Sequence, residues 1–328
     1  MVMKIKIMCI LIIFLGITIP GHSQQMPVFS QYKKNRFFFN PALAGARGYT
    51  SISLAARNQW LGFENPPRTV VVSGEGRLLK KALDIKKNIF GNKRVARRKK
   101  GNMGFGGAVF ADKNSHISKT GVKGSYAYHI KFPEYKQLSF GISATGYQMK
   151  IDKDKLTLEE PGDPVMENVE PAYSTDVSAG ILYMKHQKYY AGLSFKHIIQ
   201  TVNIIQRSYD NTTLRHYYFM GGYTFDLDKD FSLEPSTIMQ FNEKSIPLFK
   251  ADVSMRLNYK QKWWLGLSYR TTNDLIIMGG IRYKDYIIGY SYDYGMGKLI
   301  SHTFGSHEIS VVYRFGSQKR KFRWKDRY

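Results

Sequence analysis

The chain has 328 residues, a length that excludes the small proteins held together by disulfides. Its one cysteine, Cys9, lies in the first apolar run, so we expect no disulfide and no cysteine-based metal or nucleophilic site. Lys and Arg number 49 against 25 Asp and Glu, a formal net charge of +24 that points to an anionic partner or surface.

The first 23 residues have the order of a secretory signal peptide. Lys4 and Lys6 precede an apolar run over residues 7–19, and small residues follow up to Ser23. We expect cleavage after Ser23 and export of the chain. A membrane anchor is the alternative, but about 13 apolar residues fall short of the roughly 20 that a spanning helix needs.

From about residue 48 onward, apolar residues alternate with polar or small ones, which is the period of a strand with two different faces. In residues 248–259, Met255 and Leu257 face one way, whereas Ser254 and Arg256 face the other. Strands of soluble sandwiches are usually about 5–6 residues long, but about 9–11 tilted residues cross a membrane between aromatic belts. The pattern predicts an all-β fold, a transmembrane antiparallel β-barrel in the outer membrane.

Fourteen such segments can be delimited, and a closed bacterial barrel requires an even number. They are expected at residues 48–57, 68–79, 102–111, 119–130, 136–151, 173–184, 188–198, 213–226, 230–241, 248–259, 262–270, 275–284, 285–294 and 306–315. Connections after even-numbered strands are short, as periplasmic turns should be, and those after odd-numbered strands are mostly longer. The connection at residues 80–101 breaks this rule.

Two basic segments carry much of the positive charge: the loop at residues 80–101 and the tail at residues 316–328. Both should face the periplasm, where they could lie against anionic lipid headgroups or dock an acidic periplasmic protein or the cell wall. The residues we assign to docking are Lys93, Arg94, Arg97, Arg98, Lys99, Lys100, Arg320, Lys321 and Arg323. Nucleic acid is not an expected partner, because the basic runs flank the aromatic segments and the chain is exported.

The sequence offers no signal for catalysis, a cofactor or a bound metal. The histidines are scattered, and none has the spacing of zinc ligands. Ser306, His307 and Glu308 are consecutive, but neighbouring strand residues face opposite sides and cannot converge as a triad. We expect a protein that is not an enzyme.

Residues 24–47 are predicted to be irregular. Asn40 and Pro41 form a turn pair, and Gly45 permits a tight backbone turn. This segment could fold into the lumen as a partial plug, or it could be a plain periplasmic leader. After it, Arg57 is expected to face the lumen and Trp60 to anchor the outer rim of a barrel at residues 48–315.

Three stretches resemble the PorP/SprF family of Bacteroidetes outer-membrane proteins: PVFSQYKKNRFFFNPALAGARG followed by RNQWLGF, then KTGVKGSYAYHIKF, then SYDYGMGKLISHTFGSHEISVVYRF. The residues that carry the resemblance are Asn40, Pro41, Gly45, Arg57, Asn58, Trp60, Gly305, His307 and Glu308. The resemblance implies a fourteen-stranded barrel of the type IX secretion system or of gliding motility. Its implied partners are a secreted adhesin with a type B C-terminal domain and periplasmic components of the secretion or gliding motor.

The residues alone leave a different function open. A fourteen-stranded barrel is wide enough for small solutes if its lumen is empty. An outer-membrane pore or substrate-specific channel is therefore the alternative to an adhesin partner.

Overall fold

The computed structural model describes residues 30–32, 36–77, 102–152, 171–185, 188–199, 215–242, 250–297 and 303–315. A short helix α1 (Arg36–Phe39) and a 3-10 helix (Pro41–Leu43) precede the strands. The strands are β1 (Thr50–Asn58), β2 (Arg68–Arg77), β3 (Met103–Asn114), β4 (Ile117–Lys131), β5 (Lys136–Ile151), β6 (Ala172–Lys185), β7 (Tyr189–Lys196), β8 (His216–Tyr223, continued by Phe225–Asp226), β9 (Phe231–Asn242), β10 (Lys250–Tyr259), β11 (Trp263–Arg270), β12 (Asp274–Tyr283), β13 (Tyr286–Gly295) and β14 (Ser306–Phe315).

The sheet closes on itself. Each strand pairs antiparallel with the next, and β1 pairs with β14 in a register that runs from Thr50 opposite Phe315 to Asn58 opposite His307. The predicted fourteen-stranded antiparallel barrel is confirmed, and the predicted strand ends lie within a few residues of the observed ones.

Apolar side chains cover the outside of the barrel. On β11, Leu265 and Leu267 are 61% and 53% exposed, whereas the alternating Ser268 and Arg270 are 3% and 5% exposed. A water-soluble protein would turn this apolar face inward, but lipid requires it on the surface. In the described part of the chain, no helix has the length and hydropathy of a membrane span.

The two ends of the barrel differ. Connections at one end cover residues 132–135, 186–188, 227–230, 260–262 and 284–285, and we call this the short-turn end. The opposite, long-loop end has connections at residues 59–67, 152–171, 197–215, 243–249 and 296–305. One long-loop connection, at residues 115–116, is shorter than expected, since β3 and β4 stay paired up to Asn114 opposite Ile117. The connection at residues 271–273 is also short, as the predicted strand ends imply. The basic segments 80–101 and 316–328 lie entirely outside the described residues.

Candidate functional site

The chain ahead of β1 lies against the inner wall of the barrel. Residues 30–32 and 36–47, here called the N-terminal arm, contact the inner face of β1–β9, β13 and β14. Asn40, Ala42 and Ala44 in this arm are completely buried. The principal cluster of buried apolar side chains therefore lies inside the barrel, between arm and wall.

The arm begins on a carboxylate of the last strand. The amide groups of Ser30 and Gln31 donate to the two oxygens of Glu308 at 2.7 Å and 3.0 Å. The Gln31 side-chain oxygen also accepts from the Ser310 hydroxyl at 2.9 Å. Because the carboxylate binds two consecutive backbone N–H groups, it fixes the direction of the chain at this point.

Glu308 belongs to a row of buried charges near the long-loop end. Arg57 contacts Asp293 at 2.6 Å and Glu308 at 3.4 Å, and none of the three side chains is more than 3% exposed. Arg270 contacts Asp293 at 3.5 Å and holds Asp252 through two hydrogen bonds of 2.9 Å. We call these five residues the charge belt.

The charge belt joins β10, β11, β13, β14 and β1 across the lumen side of the wall. Arg57 meets two carboxylates and Arg270 meets three, since Arg270 also lies 3.8 Å from Asp274 on β12, so every buried charge in the belt has an opposite charge in contact. Such pairing is what makes buried charges tolerable, since an unpaired one costs several kcal/mol. The belt therefore ties the last strands to the first strand and to the start of the arm.

Aromatic residues of α1 pack on two buried lysines in the middle of the lumen. The Lys123 ammonium donates to the Phe38 carbonyl at 3.0 Å. The Lys196 ammonium lies 5.2 Å from the ring centre of Phe39 and 4.7 Å from that of Tyr218. Cation–π contacts of this kind are strongest where water is excluded.

Asn40 fixes the turn that follows α1. Its side-chain oxygen accepts from the Ala42 amide at 2.9 Å and caps the 3-10 helix. Its side-chain nitrogen donates to the carbonyl oxygens of Ile181 at 3.1 Å and Leu193 at 3.0 Å. One side chain thus uses both of its polar atoms to attach the arm to β6 and β7.

The wall facing this turn is made of glycines because the backbone of the arm approaches it closely. A Cβ atom on Gly180 would lie 2.1 Å from the Asn40 side-chain oxygen, and one on Gly141 would lie 2.3 Å from the Ala42 nitrogen. Any larger residue at either position would push the arm away. These inward glycines leave the space that the backbone of the arm occupies.

The arm leaves the lumen near the short-turn end. The His129 ring donates from Nε2 to the Ala44 carbonyl at 3.0 Å, and Arg77 donates to the carbonyls of Gly45 and Ala46 at 3.1 Å each. Gly45 has a φ of 65°, and a Cβ atom there would lie 2.5 Å from the Gly76 oxygen, so only glycine fits. Its amide donates to Glu75 at 3.1 Å.

A sequence profile for the family described as "Type IX secretion system membrane protein PorP/SprF" matches residues 21–313. This match covers most of the chain. The chain belongs to the PorP/SprF family. As a PorP/SprF protein with a closed, externally apolar barrel, it is an outer-membrane protein. No curated protein sequence matches it significantly.

Solved outer-membrane barrels are similar to this PorP/SprF barrel in shape only. The Acinetobacter baumannii outer membrane protein Omp33 shows 10% identity and a TM-score of 0.45, over 82% of this chain and 98% of its own. The Pseudomonas putida toluene transporter TodX shows 9% identity and a TM-score of 0.45, over 90% of this chain and 95% of its own. The family assignment therefore comes from the sequence profile.

The residues that carried the family resemblance separate into two groups. Asn40, Pro41, Gly45, Arg57 and Glu308 meet inside the lumen, at the arm and the charge belt.

The others lie at the long-loop end. The Trp60 amide donates to the Ser306 hydroxyl, and Gly305, with a φ of 77°, accepts from the Leu61 amide, while Asn58 ends β1. His307 faces outward and hydrogen-bonds the Tyr290 hydroxyl, on the opposite side of the wall from Glu308.

Several residues that hold the arm were not assigned a role from the sequence, among them Asp293, Arg77, His129 and Lys196. Strand alternation places such ionisable residues on the polar inner face of the barrel, but it does not indicate what they contact. All nine proposed docking residues lie outside the described parts of the chain. Within those parts, no group of three or more His, Cys, Asp or Glu side chains is arranged to hold a metal ion.

Proposed function

We propose that this PorP/SprF protein is the outer-membrane anchor or secretion partner of an adhesin that carries a type B C-terminal domain. Membership of a type IX secretion family supports a role beside a secreted client. The observation that carries the proposal is the N-terminal arm, which occupies the lumen through Asn40, Glu308 and the glycine wall. A barrel whose lumen is crossed by its own chain is suited to holding a partner rather than to conducting solutes.

The proposed mechanism is physical attachment. The apolar outer face holds the barrel in the membrane, while the long-loop end and the arm present a fixed surface to the client. The basic segments 80–101 and 316–328 would extend from the short-turn end and bind periplasmic components of the secretion or gliding motor. In this arrangement residues 1–23 are removed during export, so the mature protein should begin at Gln24.

Two measurements on the purified, full-length protein test the proposal. The tagged barrel should recover an adhesin with a type B C-terminal domain from native membranes, and it should give no stable open channels in planar bilayers. Stable channels from the pure protein, without recovery of an adhesin, would favour the pore alternative. Mass spectrometry of the mature N-terminus checks the cleavage site.

A charge variant separates the two proposed partners. Replacing Arg97, Arg98, Lys99 and Lys100 with Gln should reduce recovery of the periplasmic components, most strongly at low salt, because exposed charges are screened at high ionic strength. Recovery of the adhesin should not change. Unchanged recovery of the periplasmic components would remove the docking role of the 80–101 loop.

A further inference from the structure

Arginines gather at the short-turn end of the lumen, away from the charge belt. Arg256, Arg282 and Arg314 point inward from β10, β12 and β14, and Arg47 lies at the end of the arm. We call these four residues the arginine vestibule. The mechanism proposed above gives them no role.

The four side chains lie close together around two aromatic rings. The Arg314 guanidinium lies 4.7 Å from the centre of the Tyr49 ring, and Arg47 donates to the Tyr49 hydroxyl at 2.9 Å. The Arg256 guanidinium lies 5.7 Å from the centre of the Trp264 ring. Arg282 is near enough to interact electrostatically with both Arg47 and Arg256, and Arg314 with all three other arginines.

Negative charge does not balance this group. The acidic side chains that reach it are Glu234, which pairs with Arg256 and Arg36, and Glu75, beside Arg47. Counting Arg36, five arginines face these two glutamates in the described part of the chain, an excess of three positive charges there. The opposite is true at the charge belt, where Arg57 and Arg270 face four carboxylates once Asp274 is counted.

Two of the arginines have no carboxylate partner among the described residues. The Arg282 side chain makes no hydrogen bond or ion pair with any of them, and the Arg314 guanidinium contacts only the Tyr49 ring and its charged neighbours. The Arg314 Nε–H is buried without an acceptor. Guanidinium groups in this state are preorganised for an anion, because their planar donors match the two oxygens of a carboxylate.

The vestibule is open to water although its residues point inward. Arg282 is exposed, and Arg314 and Trp264 are half-buried, whereas Arg57 and Arg270 in the charge belt are 3% and 5% exposed. The belt and the first residues of the arm cover the long-loop side. A ligand would therefore enter from the short-turn end.

We propose that the arginine vestibule binds carboxylate side chains of an acidic peptide segment that enters the lumen from the short-turn end. Lipid phosphates lie outside the wall and do not reach inward-facing guanidinium groups. The rings of Tyr49 and Trp264 add apolar contact area of the kind that favours a polypeptide over a small anion. With the short-turn end in the periplasm, as the proposed function has it, the segment belongs to a periplasmic protein.

The test uses the full-length protein in detergent and a hexaglutamate peptide that carries a photo-crosslinking group. The variant Arg282→Gln/Arg314→Gln should weaken peptide binding about tenfold or more, since two charge-assisted contacts with peptide carboxylates are lost. Arg282→Lys/Arg314→Lys should restore part of the affinity. Crosslinks should map to β10–β14, near Trp264.

The matched control is Arg68→Gln/Lys113→Gln, which removes two cations that are exposed at the long-loop end. Its affinity should equal that of the unmodified protein. Crosslinks confined to residues 80–101 and 316–328, or equal affinity in both double variants, would overturn the proposal. Complete displacement of the peptide by inorganic phosphate would also overturn it, because the site would then select any small anion.

Correct folding of each variant is checked by the heat-dependent shift of barrel mobility on gels. The test needs neither adhesin nor secretion motor. A failed adhesin recovery therefore leaves the vestibule intact, and absence of peptide binding leaves the anchoring proposal intact.

Discussion

Arg57 on β1 and Asp293 on β13 form a 2.6 Å ion pair across the intervening strand β14, and both side chains are 97% buried. β1 is the first strand of the chain, and β13 is the last but one. The pair also contacts Ser30 of the N-terminal arm, whose hydroxyl bonds both residues. Barrel closure and placement of the arm thus share one buried contact.

The first prediction concerns this pair. Arg57→Leu should lower the free energy of unfolding by about 3–5 kcal/mol, because Asp293 and Glu308 lose their shared cation while remaining buried. Arg68→Leu, at an exposed arginine, is the control and should change it by less than about 0.5 kcal/mol. Urea unfolding in detergent, followed by gel mobility, measures both. Equal effects of the two substitutions would show that the buried pair is not stabilising.

A second prediction concerns Asn40. Asn40→Ala removes three hydrogen bonds in the arm and should cost about 2–4 kcal/mol, since each is worth about 0.5–1.5 kcal/mol and two carbonyls lose their donor. Asn258→Ala is the matched control, because that inward amide makes only contacts of 3.4 Å. Trypsin should cut the Asn40→Ala protein faster at Arg36 and Arg47. If the arm resists trypsin equally in the Asn40→Ala and Asn258→Ala proteins, the anchoring role of Asn40 is contradicted.

The third prediction concerns the glycine wall. Gly141→Ala/Gly180→Ala should displace the arm, because each new Cβ would lie within 2.3 Å of an arm atom. The expected results are faster trypsin cleavage of the arm and open channels in planar bilayers. Gly124→Ala/Gly146→Ala is the control, since a Cβ at either glycine meets no atom within 4 Å. If the Gly141→Ala/Gly180→Ala protein opens no channels and its arm resists trypsin, tight packing of the arm on this wall is refuted.

The outer face gives a fourth prediction. Leu267→Arg places a charge near the middle of the apolar belt and should destabilise the folded barrel in lipid by about 2–4 kcal/mol. Tyr283→Arg, at the short-turn rim, should cost only about 0–1 kcal/mol. Refolding into vesicles at a series of urea concentrations compares the two. Equal costs at the two depths would mean that the belt does not lie in the hydrocarbon.

Local pattern was enough to predict the barrel. Strand alternation depends on neighbouring residues, so Leu265 and Ser268 could be assigned to opposite faces from the sequence. Strand number and closure followed from counting the segments. The turn at residues 115–116 was missed because polar residues such as Asp112 and Lys113 continue the hairpin past the point where the alternating apolar pattern fades.

The lumen contacts could not be predicted in the same way. Asn40 bonds carbonyls 141 and 153 residues further along the chain, and Ser30 bonds a carboxylate 278 residues away. No local period encodes such partners, because they depend on how far the arm reaches across the closed barrel. Asn40 and Gly45 could be recognised as turn residues from the sequence. The packing of the arm against the glycine wall could not.

The contact of Ser30 and Gln31 with Glu308 has a consequence for biogenesis. Ser30 and Gln31 precede every strand, yet their anchoring carboxylate is on the final strand, so these two residues cannot attach to it until that strand is in place. The arm must enter the lumen before β14 pairs with β1 or while it does so. Closure of the seam and attachment of Ser30 and Gln31 are therefore one event, and a nascent barrel that stalls before its last hairpin would leave the start of the arm unattached.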